Sequence, residues 1–171
     1  VGLPAYYNDE VIIPALMSRG VTLADAREYG IIGCVEPQKP FKTDGWHDAA
    51  FFNMCRPLEL VFSNGVDKGT QISIKTGDVE DMTTFEEFYN AYKAQETYMI
   101  GLMVNAINAI DTAHSERVPL PFLSCMVEDC VKEGKTVQEG GAHYNFTGPQ
   151  GFGIANMADG LWAVKTLVFD E

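Results

Sequence analysis

The sequence predicts a helix-rich α/β chain on three grounds. A segment from about Thr84 to Glu116 repeats apolar residues at helical spacing and stops before Pro119. The run Ile31 to Glu36 is β-branched, broken by Gly33 and ended by Pro37, so it reads as extended but not as a long strand. Of the 171 side chains, 46% are hydrophobic, enough to bury a core and most simply one domain.

In chain order, Glu10 to Arg19 reads as a short apolar helix in whose first turn Pro14 would sit best. Thr22 followed by Asp25 has the pattern of a helix cap with an acidic first turn, and Gly30 stands where a helix of Leu23 to Tyr29 would stop. From Pro37 to Trp46 the chain is an irregular connection. His47 to Asn64 returns to helical spacing, with Phe51, Cys55, Leu58 and Phe62 on one stripe, Pro57 as a kink and Gly65 as the stop. Gln71 to Lys75 is extended.

The long periodic segment carries apolar residues on more than one face, including Tyr98, Met99, Leu102, Met103, Ile107 and Ile110, as a helix enclosed by a larger protein does. Beyond it, Pro119 to Ser124 reads as extended, Met126 to Lys132 as a short helix and Ala142 to Thr147 as a strand. A glycine-rich turn, Gly148 to Gly153, leads into a helix of about Ile154 to Phe169. No repeat, low-complexity tract or interdomain linker is visible.

Twelve Lys and Arg against 24 Asp and Glu give a formal charge of -12, which repels phosphate backbones and anionic lipid surfaces. Nucleic acid and membrane are therefore not expected partners. No apolar stretch reaches the roughly 20 residues a bilayer requires, and Val1 Gly2 Leu3 Pro4 lacks a signal-peptide layout. A cytoplasmic location follows as the expectation, with the four cysteines, Cys34, Cys55, Cys125 and Cys130, as reduced thiols. Val1 in place of Met, and an apolar run that ends abruptly at Asp170 and Glu171, predict an internal piece of a longer chain.

Cys34 and Glu36 are two residues apart in a segment expected to be extended, which would send thiol and carboxylate to the same side. Gly33 permits close approach of the backbone, and Pro37 stiffens the exit. The bland alternative is a buried cysteine beside a solvated glutamate, the usual fate of an isolated pair of this kind. Asp48, fourteen residues after Cys34, has two readings from the residues alone. It is a first-turn residue favoured by a helix dipole, or a functional carboxylate.

The run Tyr29 Gly30 Ile31 Ile32 Gly33 Cys34 Val35 Glu36 Pro37 Gln38 Lys39 Pro40, followed by Gly45 Trp46 His47 Asp48 and Phe51 Phe52 Asn53, resembles the cysteine loop of the B12-independent glycerol and propanediol dehydratases. These are glycyl radical enzymes of the pyruvate formate-lyase-like superfamily. The likeness continues through Pro119 to Ser124, Gly140 Gly141 Ala142, Tyr144 Asn145 Phe146 and Gly148 to Gly151, and so covers nearly the whole chain.

The resemblance implies that residues 1–171 are an internal part of a ten-stranded α/β barrel domain, including its cysteine finger loop, without the glycyl radical domain. It implies dehydration of a small vicinal diol, glycerol or propane-1,2-diol, to an aldehyde through a Cys34 thiyl radical. Glu36 takes the place of the family base and Asp48 that of the substrate-binding aspartate. No bound cofactor is expected. The radical would reside on a glycine outside this chain, installed by a radical SAM activating enzyme, in a full-length homodimer. Gly33 replaces the first of two adjacent cysteines in pyruvate formate-lyase itself, which argues against acetyl transfer. With the radical glycine elsewhere, the segment alone is expected to be inactive.

Choline trimethylamine-lyase and isethionate sulfite-lyase share the Gly-Cys-Val-Glu pattern and are the nearest alternatives. Asp48 favours a neutral diol over an anionic sulfonate. A non-catalytic binding or structural domain with a buried cysteine is the alternative of another class.

Other signals weigh less. Cys34, Glu36, His47 and Asp48 lack zinc-ligand spacing, and Lys39 and Lys42 lie between them. Cys125 and Cys130 stand about 140° apart on a helix. Gly148, Gly151 and Gly153 do not form GxGxxG, and Pro149 removes a donor. His114 and His143 read as surface or hydrogen-bonded, and Trp162 as core or protomer contact.

Overall fold

The computed structural model describes residues 6–170, which form short strands paired in twos, one long helix and several short ones. Helix α1, Asp9–Ser18, starts where Asn8 Oδ1 accepts the Glu10 N–H. Pro14 falls inside it rather than in its first turn, and the Glu10 carbonyl accordingly has no N–H donor at residue 14. Helix α2 is only Leu23–Ala26, capped as expected by Thr22 Oγ1 on the Asp25 N–H, and the chain leaves it before Gly30.

Gly30–Ile32 (β1) and Glu36–Gln38 (β2) then pair antiparallel, with Gly30 opposite Gln38 and Ile32 opposite Glu36. The expected single extended run is thus a tight hairpin, with Gly33, Cys34 and Val35 as its turn. Pro37 is tolerated because both strands of a two-stranded ladder are edges.

Thr43–Asp44 (β3) pairs in parallel with Tyr144–Asn145 (β7). His47–Asn53 (β4) is a strand, not the first half of a helix; the helix of that region, α3, is Cys55–Phe62. The helical stripe failed at its start because the apolar residues Ala49 to Phe52 fit an extended period as readily as a 3.6 one. Pro57 kinks nothing, since it is the third residue of α3, where its absent N–H has no helical acceptor to lose. Val66–Asp67 (β5) and Thr70–Gln71 (β6) form a small hairpin.

The long helix α4, Phe85–Arg117, matches the expectation closely. It opens with a capping box: Thr84 Oγ1 accepts the Glu87 N–H, while Glu87 Oε2 accepts those of Thr83 and Thr84. Pro121–Ser124 (α5) is helical where an extended segment was expected. Pro121 occupies the first helical position, where proline favours a helix. Cys130–Glu133 (α6) is the short helix in the region anticipated. Gly148–Phe152 is a strand, β8, rather than a turn, and neighbours β4. Helix α7, Ile154–Val164, continues into a wider turn at Lys165–Phe169.

The described residues form two compact units. Residues 6–49 with Ile110–Gly148 make one, and Ala50–Ala109 with residues 149–170 the other. The chain changes unit inside β4, inside α4 and after Gly148, so no linker marks a boundary in the sequence. The first unit packs Leu16, Val21, Ala26 and Tyr144 in one cluster and Cys130, Val137 and Ala142 in another. The second packs Leu58, Val61, Phe88, Ala91, Tyr92 and Leu161. There, buried Gln95 is satisfied by Ser73 Oγ, the Ile74 carbonyl and Thr76 Oγ1.

Much apolar surface stays open. Tyr98, Ile100, Leu102, Val104 and Ile110 of α4 are exposed, as are Phe41, Phe122, Val131 and Trp162, the last therefore outside the core, one of the two positions expected of it. Surface of this extent marks contact faces. Expressed alone, residues 1–171 should therefore self-associate and melt over a broad range, as read by light scattering and calorimetry. A sharp cooperative melt of a monomer would contradict this.

Candidate active site

The hairpin is closed by a side chain from its own second strand. The backbone N–H groups of Cys34 and Val35 both donate to Glu36 Oε2, each at 2.9 Å. Those bonds require the carboxylate to fold back under the turn, and Gly33 leaves the room: a Cβ there would lie 2.7 Å from Glu36 Oε2. Gly33 also has φ 60°, a conformation that strains other residues.

The Val35 amide, more than any other group, holds the Glu36 carboxyl below its ordinary range. Partial burial opposes it, and the Cys34 amide and His47 reinforce it. Glu36 is therefore a carboxylate near neutrality, able to accept a proton. Because its ionised form is the one bound, the clasp is present above the ordinary glutamate value and is lost as pH falls through the lowered one.

Cys34 is exposed at the tip. Cys34 lies in a turn rather than a strand, so strand alternation does not relate its side chain to that of Glu36. The link between the two residues is instead the amide of one and the carboxylate of the other.

Asp48 is the second residue of β4 and is exposed, with φ 59° in the left-handed region that Asp tolerates better than most residues. The connection before it is anchored firmly. Lys39 Nζ reaches Glu28 at 2.6 Å, and Lys42 Nζ reaches Asp25 at 3.1 Å and Glu128 at 3.5 Å. The Glu128 N–H donates to the Phe41 carbonyl, Tyr144 to Lys42 and Phe146 to Asp44. Asp25 also accepts from the Tyr144 hydroxyl, the contact that most lowers its pKa.

A cavity of about 450 Å³ lies between the hairpin and this connection. Glu36 and Asp48 line it together with Gly33, Gln38, Asp44 and His47, against an apolar wall of Leu123, Met126, Val127 and Val137. Burial pushes the Asp44 carboxyl up, and neighbouring Asp111 adds to that rise. Gln38, Asp44 and the wall were not singled out by sequence reasoning. The wall lies some ninety residues downstream with no spacing that ties it to the hairpin. His47 entered only as a zinc candidate, although Gly45 two residues before it was a usable sign of close packing. His143, expected to be hydrogen-bonded, has Nδ1 2.6 Å from Asp129, and His114 packs edge-on against Trp46. Among the described residues, Glu128, Asp129 and His143 are the group close enough to share a cation, and Lys42 and Lys132 already pair with the two carboxylates.

The pyruvate formate lyase-like family matches residues 1–171 throughout. The chain belongs to that family. It is 69% identical, with a TM-score of 0.96, to a solved structure concerned with 1,2-propanediol dehydration in Roseburia inulinivorans, over 99% of this chain and 21% of that one. The glycerol-bound B12-independent glycerol dehydratase of Clostridium butyricum is 64% identical at the same TM-score, over 99% and 22%. A (2S)-3-sulfopropanediol dehydratase of Klebsiella oxytoca is 40% identical over 172 residues, 99% of this chain and 21% of that protein. The chain thus spans about one fifth of the length of these pyruvate formate lyase-like relatives, and its α/β fold is the one that glycyl radical enzymes carry over that fifth.

Two outcomes test the clasp. The amide protons of Cys34 and Val35 should titrate together with a midpoint below the ordinary glutamate value of 4.5, followed by NMR on selectively labelled protein. Gly33→Ala should loosen the tip by about 1–2 kcal/mol, seen as faster amide exchange at residues 33–36 with no change along α4.

Proposed function

We propose that the full-length protein carrying this segment is a glycyl radical lyase that dehydrates a small neutral vicinal diol, glycerol or propane-1,2-diol, to an aldehyde. The observation that carries this reading is the cavity that Glu36 and Asp48 share, lined also by Gly33, the residue next to Cys34. The 69% and 64% identity to proteins associated with 1,2-propanediol and glycerol supports the substrate class.

In this reading Cys34, exposed at the tip, yields its S–H hydrogen atom to a glycyl radical carried outside the segment. The Cys34 sulfur then takes the hydrogen atom from C1 of the diol. Glu36 removes the C1 hydroxyl proton while the C2–oxygen bond breaks, and that proton passes on to the departing C2 hydroxyl, which leaves as water and restores the Glu36 carboxylate. The Cys34 thiol returns a hydrogen atom to C2, which completes the aldehyde and regenerates the sulfur radical. Asp48 accepts hydrogen bonds from the substrate hydroxyls.

The cavity bears three carboxylates, Glu36, Asp44 and Asp48, and among its described lining residues no Lys or Arg. That charge suits a neutral diol better than a sulfonate. No helix among the described residues is long and apolar enough to cross a membrane. A cytoplasmic homodimer activated by a radical SAM enzyme completes the proposal.

Cys34→Ala in the full-length protein should abolish diol dehydration while the glycyl radical remains detectable by electron paramagnetic resonance after activation. Retained turnover would overturn the mechanism. Glu36→Gln should lower kcat by roughly 10²–10⁴-fold at unchanged radical content.

A further inference from the structure

His47 opens β4 and lines the cavity together with Glu36 and Asp48. Its Nε2 lies 3.1 Å from Gln38 Oε1. With the amide oxygen as acceptor, Nε2 carries the proton and donates it, so this nitrogen is engaged within the protein. Gln38 is two residues beyond Glu36 in β2, and strand alternation sends both side chains to one side, away from Pro37. In agreement, Glu36 and Gln38 line the cavity and Pro37 does not. His47 directly precedes Asp48. One hydrogen bond therefore ties the strand that bears Glu36 to the strand that bears Asp48.

The surroundings are built around that bond. A Cβ placed on Gly45 would lie 2.6 Å from His47 Cε1, closer still to Nε2, and 3.0 Å from Gln38 Oε1. The bridge thus occupies the space a side chain at residue 45 would need. On the other side of the ring, a Cβ on Gly148 would come within 3.3 Å of Nδ1. The backbone on both sides of His47 is held in the left-handed region, at Trp46 with φ 29° and at Asp48 with φ 59°. Such conformations persist only where surrounding contacts over-determine them.

We infer that His47 is a positioning residue: its bridge to Gln38 fixes the separation between the Glu36 and Asp48 carboxylates. The inference rests on the functional reading above for its catalytic consequence, and on geometry alone for the bridge. A base and a substrate anchor on separate strands work together only at a set distance, and a displacement of about 1 Å can cost on the order of 100-fold in rate.

The test uses full-length protein after activation, with kcat expressed per radical spin. His47→Phe, which keeps a ring and removes the donor, and Gln38→Leu should each lower kcat per spin roughly 10- to 100-fold. The double variant should be no worse than the poorer single one, because both remove the same bond. Gly45→Ala, which alters neither partner but displaces the ring, should reproduce the loss. His47→Gln, whose amide nitrogen reaches about as far as Nε2, should recover more activity than His47→Asn. A purely structural role would lower radical yield and thermal stability and leave kcat per spin unchanged.

Variants within about twofold of wild type, or losses that multiply in the double variant, would overturn the inference. If wild type itself fails to dehydrate diols, the functional reading fails and not the bridge. Crystal structures of wild type and His47→Phe then decide: an unchanged separation of the Glu36 and Asp48 carboxylates refutes the bridge, and a changed one supports it. Should His47→Phe not accumulate, Gln38→Leu carries the same comparison.

Discussion

One carboxylate oxygen organises the tip of the cysteine hairpin. Glu36 Oε2 accepts the amides of Cys34 and Val35, two donors that a three-residue turn cannot satisfy within its own ladder. That contact lowers the Glu36 pKa, obliges residue 33 to be glycine and ties the backbone of the thiol residue to the acid-base group. A proton-accepting carboxylate and an exposed sulfur are thereby held by the same few atoms. The clasp weakens in acid, when the carboxylate is neutralised.

The rest of the first unit serves to hold that hairpin against the start of β4. The connection between them has little regular structure, so its order comes from charge pairs and backbone bonds to distant segments. Lys39 and Lys42 supply the pairs, and the strand register of Thr43 with Tyr144 supplies the frame. Surface ion pairs contribute little singly. Here they act beside four backbone links, counting from Glu128 to Gly148, and the anchored chain turns sharply enough to put Trp46 and Asp48 in left-handed conformations. The second unit has its own core around α3, α4 and α7. The open apolar faces of α4 are consistent with a segment that spans about a fifth of its relatives.

Local chemistry was legible where it acts over a few residues. The cap at Thr22 and the Phe85–Arg117 helix both follow from near-neighbour sterics and hydrogen bonding. The split of His47 to Asn64 into strand and helix did not, because seven residues with mixed apolar spacing fit either period until a partner strand is present. Helix α5 at Pro121 is illegible for a similar reason: proline ends one element and begins another with the same φ.

Cys34, Glu36 and Asp48 were named from the sequence because the segment around them resembles a known loop, and the family is established by a match along the whole chain. What the sequence determined by itself was the identity of those groups and the short-range elements that bear them. Tertiary structure decided how they meet. It turned a presumed strand into a hairpin tip, replaced side-by-side alternation with a carboxylate bound to backbone amides, and brought Gln38 to His47 and a wall from residues 123–137 to the same cavity. Such contacts join residues far apart in the chain, and sequence spacing constrains only those that are near.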